Sequence, residues 1–177
     1  MIFEETLHMK PLESVSAKIV WTKPDPTKDE YVLRDGGDIV AKLDWTSDSA
    51  RGEWAGGSVV MKKVGFLNPH VVVRNAKSSE LLGRFEPTMG GGGIVQLADG
   101  RSYKWVPHAW QADWHWVSTA GETLLTFKYS GFAVDGSPEG NIEIAEVTPR
   151  GANLPAALLL GCYIIHLVAE TGNDKRD

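Results

Sequence analysis

Apolar and polar residues alternate in short runs along most of the chain, and turn-forming residues separate one run from the next. An alternation of period two places successive side chains on opposite faces of a β-strand. The pattern predicts roughly twelve short strands. The predicted strands are 16–22, 31–34, 39–45, 58–63, 64–67, 70–75, 80–86, 94–97, 101–106, 114–118, 122–129 and 141–147.

Short polar or glycine-containing segments between these runs predict hairpin turns. Asp35–Asp38, Ala98–Gly100 and Thr119–Gly121 combine glycine with small or acidic residues, which favours tight turns. The polar segment 47–57 predicts a loop around its tryptophan, and Gly90–Gly93 predicts a flexible connection between strands rather than a phosphate loop.

The last run is different, because Gly151–Ala169 contains no formal charge. It predicts a helix over 154–170, with Asn153 as N-cap and Gly172 as its stop. A helix that is apolar on all sides must be buried in protein or lipid. Its apolar length of about 24 Å is at or below what a bilayer requires. We therefore expect a buried core helix and no transmembrane span, with a tail anchor as the alternative and a surface interaction helix as the least favoured interpretation.

The strands and the helix together predict one architecture. A barrel of about twelve strands is too wide for its own side chains to fill, and a central apolar helix would fill it. We predict one mainly β domain over residues 1–177, a closed antiparallel barrel with strands within about 15–147 around the buried helix. The helix side chains expected to be nearly fully buried are Leu158, Leu160, Ile164, Ile165 and Leu167.

The order of these elements resembles that of the tubby C-terminal-like superfamily, which includes tubby proteins, phospholipid scramblases and LURP-one-related proteins. The resemblance covers about residues 15–170. It implies a closed barrel of about twelve strands around a buried C-terminal helix. The segments that carry it are Tyr31–Trp45, Val71–Phe85, Asp99–Trp105 and the ending Gly140–Val168.

The resemblance also implies a class of ligand. Tubby proteins bind phosphoinositides through lysine and arginine on the barrel wall, and the candidates here are Lys62 with Lys63, or Arg101 with Lys104. Scramblases carry an acidic calcium-binding segment just before the last helix. The corresponding segment 146–153 lacks that pattern, so calcium-driven scrambling is not expected.

Charge and cysteine content narrow the function further. The net charge is −5, which disfavours nucleic-acid binding because phosphate contacts need a basic face. The single cysteine, Cys162, lies in the apolar helix, so we predict a core residue rather than a nucleophile. No disulfide can form within the chain, and residues 1–10 contain no apolar run typical of a signal peptide. These features favour a cytoplasmic protein, either free or peripheral at a membrane.

The segment Pro107–Trp116 is the richest in candidate chemistry. His108, Asp113 and His115 are the residues that a hydrolase or a metal site would use. Their spacing matches no established ligand motif and places His108 in a loop, so we expect neither a metal nor a cofactor. Trp114 and Trp116 share one strand face, and packing on the helix is favoured over an exposed aromatic surface.

Two functions remain after this reasoning. The first is a non-catalytic tubby-like binding barrel that contacts an anionic phospholipid headgroup or a protein partner. The second is a hydrolase that uses His108, Asp113 and His115. The binding barrel is favoured, because a helix in the lumen leaves no deep pocket there and enzymes usually need one.

Overall fold

A closed barrel and one helix make up the computed structural model of the protein. In the residues that the structure describes (9–46, 48–108, 113–132, 138–151 and 153–173), twelve antiparallel strands form the wall and a single α-helix follows them. The fold class predicted from the pattern is therefore confirmed. The strands are β1 (Lys18–Thr22), β2 (Glu30–Asp35), β3 (Asp38–Trp45), β4 (Ser49–Trp54), β5 (Gly57–Val64), β6 (His70–Asn75), β7 (Leu81–Pro87), β8 (Gly93–Leu97), β9 (Ser102–His108), β10 (Asp113–Ser118), β11 (Thr123–Phe132) and β12 (Pro138–Ile144).

The barrel closes because its first and last strands pair with each other. Each strand is hydrogen-bonded to its neighbours in sequence, and β1 pairs with β12 in antiparallel register, with Ile19 opposite Ile142. Closure leaves no strand of the wall with an unpaired edge. A short 3₁₀ turn, Leu12–Ser14, precedes β1.

The period of two sorts the wall into an inner and an outer face. In β8, Gly93 and Val95 are buried while Ile94 and Gln96 are exposed. Trp116 is buried, and its indole Nε1 donates to the backbone oxygen of Ala157 on the helix at 3.0 Å. This confirms the inward packing expected of Trp116. Trp114, on the same face, is partly buried against the core.

The helix α1 (Asn153–Asn173) lies inside the barrel for most of its length. It begins at the predicted N-cap and ends one residue beyond Gly172, which therefore does not stop it. Leu158, Leu160, Ile164 and Ile165 are buried, as predicted. The prediction for Leu167 is wrong, because this side chain is only partly buried where the helix reaches the end of the barrel.

Two strand predictions are wrong for identifiable reasons. The segment predicted as a loop contains β4, whose fully inward positions, Ala50 and Gly52, are small and are followed on that face only by the partly buried Trp54, so hydrophobic alternation is weak. Gly52 is required there, since a Cβ atom would lie 2.5 Å from Leu159 Cδ1 of the helix. The predicted strand 64–67 is not a separate strand, because Val64 is the last residue of β5 and Gly65, at φ +87°, begins the loop that follows.

The last strand is also displaced, since β12 ends at Ile144 instead of continuing to Val147. Val147 is exposed in the turn that leads into the helix. Among the described residues, the structure contains no helix with the length and apolarity that crossing a bilayer requires.

The two ends of the barrel can be named after the helix. At the entry end, where α1 begins, Asn153 Nδ2 donates to Asp99 Oδ2 at 2.8 Å. At the exit end, its last described side chains, Leu167 and Val168, lie beside Pro69 and His70. Because antiparallel strands alternate in direction, hairpin connections alternate between the ends. The entry end carries connections 36–37, 55–56, 76–80, 98–101 and 119–122, and the exit end carries 23–29, 65–69 and 88–92.

Candidate functional site

The four basic residues singled out in the sequence lie on two separate parts of the wall. Lys62 and Lys63 are exposed near the exit end of β5. Lys104 is exposed on β9, and Arg101 precedes β9 at the entry end, where its Nε lies 3.7 Å from Asp99 Oδ2. Strands β6, β7 and β8 lie between β5 and β9. The structure therefore does not bring the four together.

The pair Lys62 and Lys63 has a second feature beside it. Phe66 and Leu67, in the loop after β5, and Met89, in the loop after β7, are almost fully exposed. We call these three side chains the apolar rim. Both loops lie at the exit end and contain glycines with positive φ, which turn the chain away from the wall.

A cleft adjoins the apolar rim at the exit end. It has a volume of about 200 Å³ and lies between the end of α1 and strands β5 to β7. Its lining is mainly apolar, with Phe85 and Ile164 among its side chains, while Lys63 and His70 are polar groups on its border. The exit end thus combines exposed apolar side chains, a cleft and basic groups.

A larger cleft opens at the entry end, and it corrects the expectation that the helix leaves no deep pocket. Its volume is about 480 Å³. It lies between the small helix residues Ala156 and Ala157 and the inner face of β5 to β9, with Asp99 and Asn153 among its polar groups. Alanine on this side of α1 leaves space that larger side chains would fill.

The third feature is a compact polar group on the outer wall, formed by His108, Asp113 and His115. We call it the His–Asp cluster. His108 is the last residue of β9 and Asp113 the first of β10, and the two are directly opposite in the register. His115 follows two positions along β10, on the same face as Asp113. The expectation that His108 belongs to a loop is wrong, because β9 extends beyond the predicted 101–106.

The side-chain atoms of this cluster converge on a small triangle. His115 Nε2 lies 3.0 Å from His108 Nδ1 and 3.3 Å from Asp113 Oδ1. His108 Nδ1 lies 3.4 Å from the same oxygen. The other ring nitrogen of His115, Nδ1, lies 3.0 Å from Thr126 Oγ1 on β11. Three groups that can each offer a lone pair to a cation therefore meet at one point.

Burial differs across the His–Asp cluster. The side chains of Asp113 and His115 are 10% and 13% exposed, whereas that of His108 is 50% exposed. Asp113 is also opposite Lys128 in the register, but the Lys128 ammonium pairs with Glu143 at 3.0 Å. The cluster is thus anchored on rigid strands on one side and open to solvent on the other.

Cys162 is excluded as a reactive group. It is buried in α1, and burial raises the pKa of its thiol well above the ordinary range, which disfavours the nucleophilic thiolate. The prediction that it belongs to the core is confirmed.

Comparisons of the chain with protein-family models, with curated proteins and with solved structures found no match. The resemblance to tubby C-terminal-like domains therefore stays a prediction.

Sequence reasoning missed the apolar rim and found the members of the His–Asp cluster without their arrangement. The hydrophobic pattern predicts a strand that includes Phe66 and Leu67. The signal that could have corrected this is Gly65 before them and Pro69 after them, both of which favour a loop.

Proposed function

We propose that this chain is a non-catalytic binding barrel that places its exit end on an anionic phospholipid surface. The observation that carries the proposal is the apolar rim of Phe66, Leu67 and Met89 at the same end of the barrel as Lys62 and Lys63, which precede Phe66 closely in the chain. Exposed apolar patches rimmed by polar groups mark surfaces that contact proteins or membranes. Two adjacent lysines select a negatively charged surface among these.

The energies of such a contact are sufficient for peripheral binding. Burying one large apolar side chain gains about 1.5–3 kcal/mol, and one lysine near an anionic surface gains about 1 kcal/mol. Acidic groups at the exit end include Asp48, whose backbone oxygen accepts from Lys63 N, Glu86, which pairs with Arg84 at 2.9 Å, and the exposed Asp25 and Asp29. The net charge of −5 opposes the approach of the whole protein to an anionic membrane. Binding is then local, sensitive to salt and dependent on the headgroup, since a Debye length of about 8 Å screens distant charges.

This function agrees with what the resemblance implies, although it uses the rim of the barrel in addition to its wall. Within the proposal, the protein is cytoplasmic and peripheral at a membrane. A single cysteine, buried in the helix, suits a reducing compartment.

The experiment is co-sedimentation with vesicles of phosphatidylcholine alone and of phosphatidylcholine containing phosphatidylserine or a phosphoinositide. We expect binding to the anionic vesicles at low salt and loss of binding at high salt. Lys62→Glu/Lys63→Glu and Phe66→Ser/Leu67→Ser should each reduce binding. The matched control is Lys77→Glu/Leu81→Ser at the entry end, where both side chains are exposed, and it should bind like the unmodified protein.

Two results would contradict the proposal. Equal sedimentation with neutral and anionic vesicles would exclude headgroup selection. No sedimentation at low salt would exclude lipid contact and leave the apolar rim as a surface for a protein partner.

A hydrolase is the second candidate, and the convergence of His108, Asp113 and His115 favours it. Thr126 Oγ1 is the hydroxyl nearest to His115 among the described contacts. Thr126 lies mid-strand, in register with His115 on one side and Glu143 on the other, so its backbone N–H belongs to the sheet. Acyl transfer also needs free donors for the oxyanion. Hydrolysis of an activated ester that Thr126→Val abolishes, with the fold retained, would establish this candidate over the binding barrel.

A further inference from the structure

We propose that His108, Asp113 and His115 bind a divalent transition-metal ion of the zinc class on the outer wall of the barrel. Two imidazole nitrogens and one carboxylate oxygen form a ligand set that zinc commonly takes in proteins. The site is independent of the lipid contact, because it lies on β9 and β10 and uses none of the residues of the apolar rim.

The distances between the three ligand atoms fit such an ion. They are 3.0 Å between the two ring nitrogens, 3.3 Å from His115 to Asp113 and 3.4 Å from His108 to Asp113. Ligand atoms around a tetrahedral zinc, with bonds of about 2.0–2.1 Å, lie about 3.3–3.4 Å apart. The triangle therefore matches one face of a tetrahedron with little movement of the side chains.

The His115 tautomer that carries its proton on Nδ1 is compatible with a bound ion. A hydrogen bond from His115 Nδ1 to Thr126 Oγ1, at 3.0 Å, leaves a lone pair on Nε2. That lone pair then faces a second ring nitrogen and a carboxylate oxygen. A cation satisfies all three groups at once, whereas protons would have to bridge each contact separately. Thr126 becomes the outer partner that orients His115, as second-shell groups do at metal sites.

The site has the form of a three-ligand site with one open position. Asp113 and His115 are fixed on β10 and nearly buried, and the face beside the half-exposed His108 is accessible to solvent. A fourth position facing solvent can hold water or an external ligand. Lys128 does not cancel the Asp113 charge, since its ammonium pairs with Glu143.

The three ligand residues match no metal motif in the sequence because their spacing is determined by strand pairing. His108 and Asp113 are opposite each other across β9 and β10, and His115 is the next residue on that face. A cross-strand pair followed by a residue two positions along is a metal-binding arrangement that chain spacing alone does not reveal.

The experiment uses the full chain, treated with a chelator and then titrated with Zn²⁺ or Co²⁺ by calorimetry and visible absorption. We expect one equivalent to bind, with intense Co²⁺ bands typical of four-coordinate geometry, and Zn²⁺ to raise the melting temperature. His108→Ala should weaken binding at least about 100-fold, and Thr126→Val about 10–100-fold, as loss of an outer partner does. His108 is half exposed, so its substitution should leave the fold intact, which circular dichroism checks.

The matched control is His70→Ala, since His70 lies at the exit end outside the His–Asp cluster. It should bind the metal like the unmodified protein. Absence of Zn²⁺ and Co²⁺ binding, with the fold intact, would overturn the proposal and indicate a proton-bridged cluster. Equal binding by the unmodified protein and by His108→Ala would also overturn it, because the ion would then be held elsewhere.

Discussion

At the entry end, short hairpins and polar contacts tie the helix and the N-terminal segment to the wall, whereas the exit end carries longer loops with apolar side chains in solvent. Thr148 Oγ1 donates to Leu124 O at 2.6 Å, and Arg150 donates to Val15 O at 2.9 Å, both next to the start of α1. At the exit end, Phe66, Leu67 and Met89 have no comparable burial.

The difference indicates that the entry end of the barrel contributes mainly to stability and that the exit end offers surfaces for binding. The contact of Arg150 with Val15 at the entry end joins segments far apart in the chain, and Tyr163 Oη, which donates to Asp48 O at 2.9 Å, makes one such contact at the exit end. The exit end holds the apolar rim, a cleft and, on the adjoining outer wall, the His–Asp cluster. Groups that face solvent there are available for ligands because the fold does not depend on them.

The largest expected effect on stability comes from comparing a fully buried position of helix α1 with a position at the exit end. Leu158, in the middle of the barrel, is fully buried, and Leu158→Ala should lower the free energy of unfolding by about 2–5 kcal/mol through the lost contacts and the cavity. Leu167→Ala, at the exit end, should cost clearly less because that side chain is only partly buried. Urea unfolding of both variants measures the difference. Equal losses would show that the interior of the barrel and its exit end contribute alike.

A smaller effect comes from Asp35, which anchors the N-terminal segment at the entry end. Its carboxylate accepts from Lys10 Nζ at 2.8 Å and from Ser16 Oγ at 2.7 Å. These hydrogen bonds lower the pKa of Asp35 to about 2, and the bond from Lys10 has the largest effect. The stabilisation is therefore complete above about pH 4 and is lost as pH falls toward 2. Asp35→Asn should cost about 1–2 kcal/mol at pH 7, a value that allows for solvent screening.

The matched substitution at the exit end should have the opposite sign. The pKa of Asp44 is raised to about 6. The largest cause is loss of hydration, and a hydrogen bond with Glu30 and repulsion from the Glu30 charge add to it. The folded state then holds this proton more tightly than the unfolded state, so stability falls as pH rises from about 4 to 6. Asp44→Asn should stabilise the protein at pH 7, by less than about 1 kcal/mol because the residue is exposed. Unfolding curves from about pH 2 to 7 test both variants, and stability curves parallel to those of the unmodified protein would contradict the assignment.

The hairpins of the entry end could be predicted because their turns carry a local signal. Gly36, Gly100 and Gly121 have positive φ, the conformation that glycine adopts most easily, and each lies in a predicted turn. The helix could also be predicted from the sequence, since a helix that is buried on all sides requires apolar residues on all sides.

Strand β4 and the arrangement of the His–Asp cluster could not be predicted, since both depend on contacts with residues distant in the chain. Strand β4 has Ala50 and Gly52 on its inner face because the helix approaches it closely, and that approach has no local signal. The His–Asp cluster depends on the register of β9 against β10, and a shift of one residue would turn its side chains to the other face.

Closure of the wall has a consequence for how the protein is made. Ile19 and Ile142 meet in the seam between β1 and β12, so the ring cannot be completed until nearly the whole wall has left the ribosome. The helix that fills it comes later still. Until then the inner faces of the strands have no core to cover them, and unpaired strands with apolar faces are prone to aggregate. Synthesis of this domain thus includes an interval in which the nascent wall is unfilled, and the domain completes its folding only when helix α1 has been made.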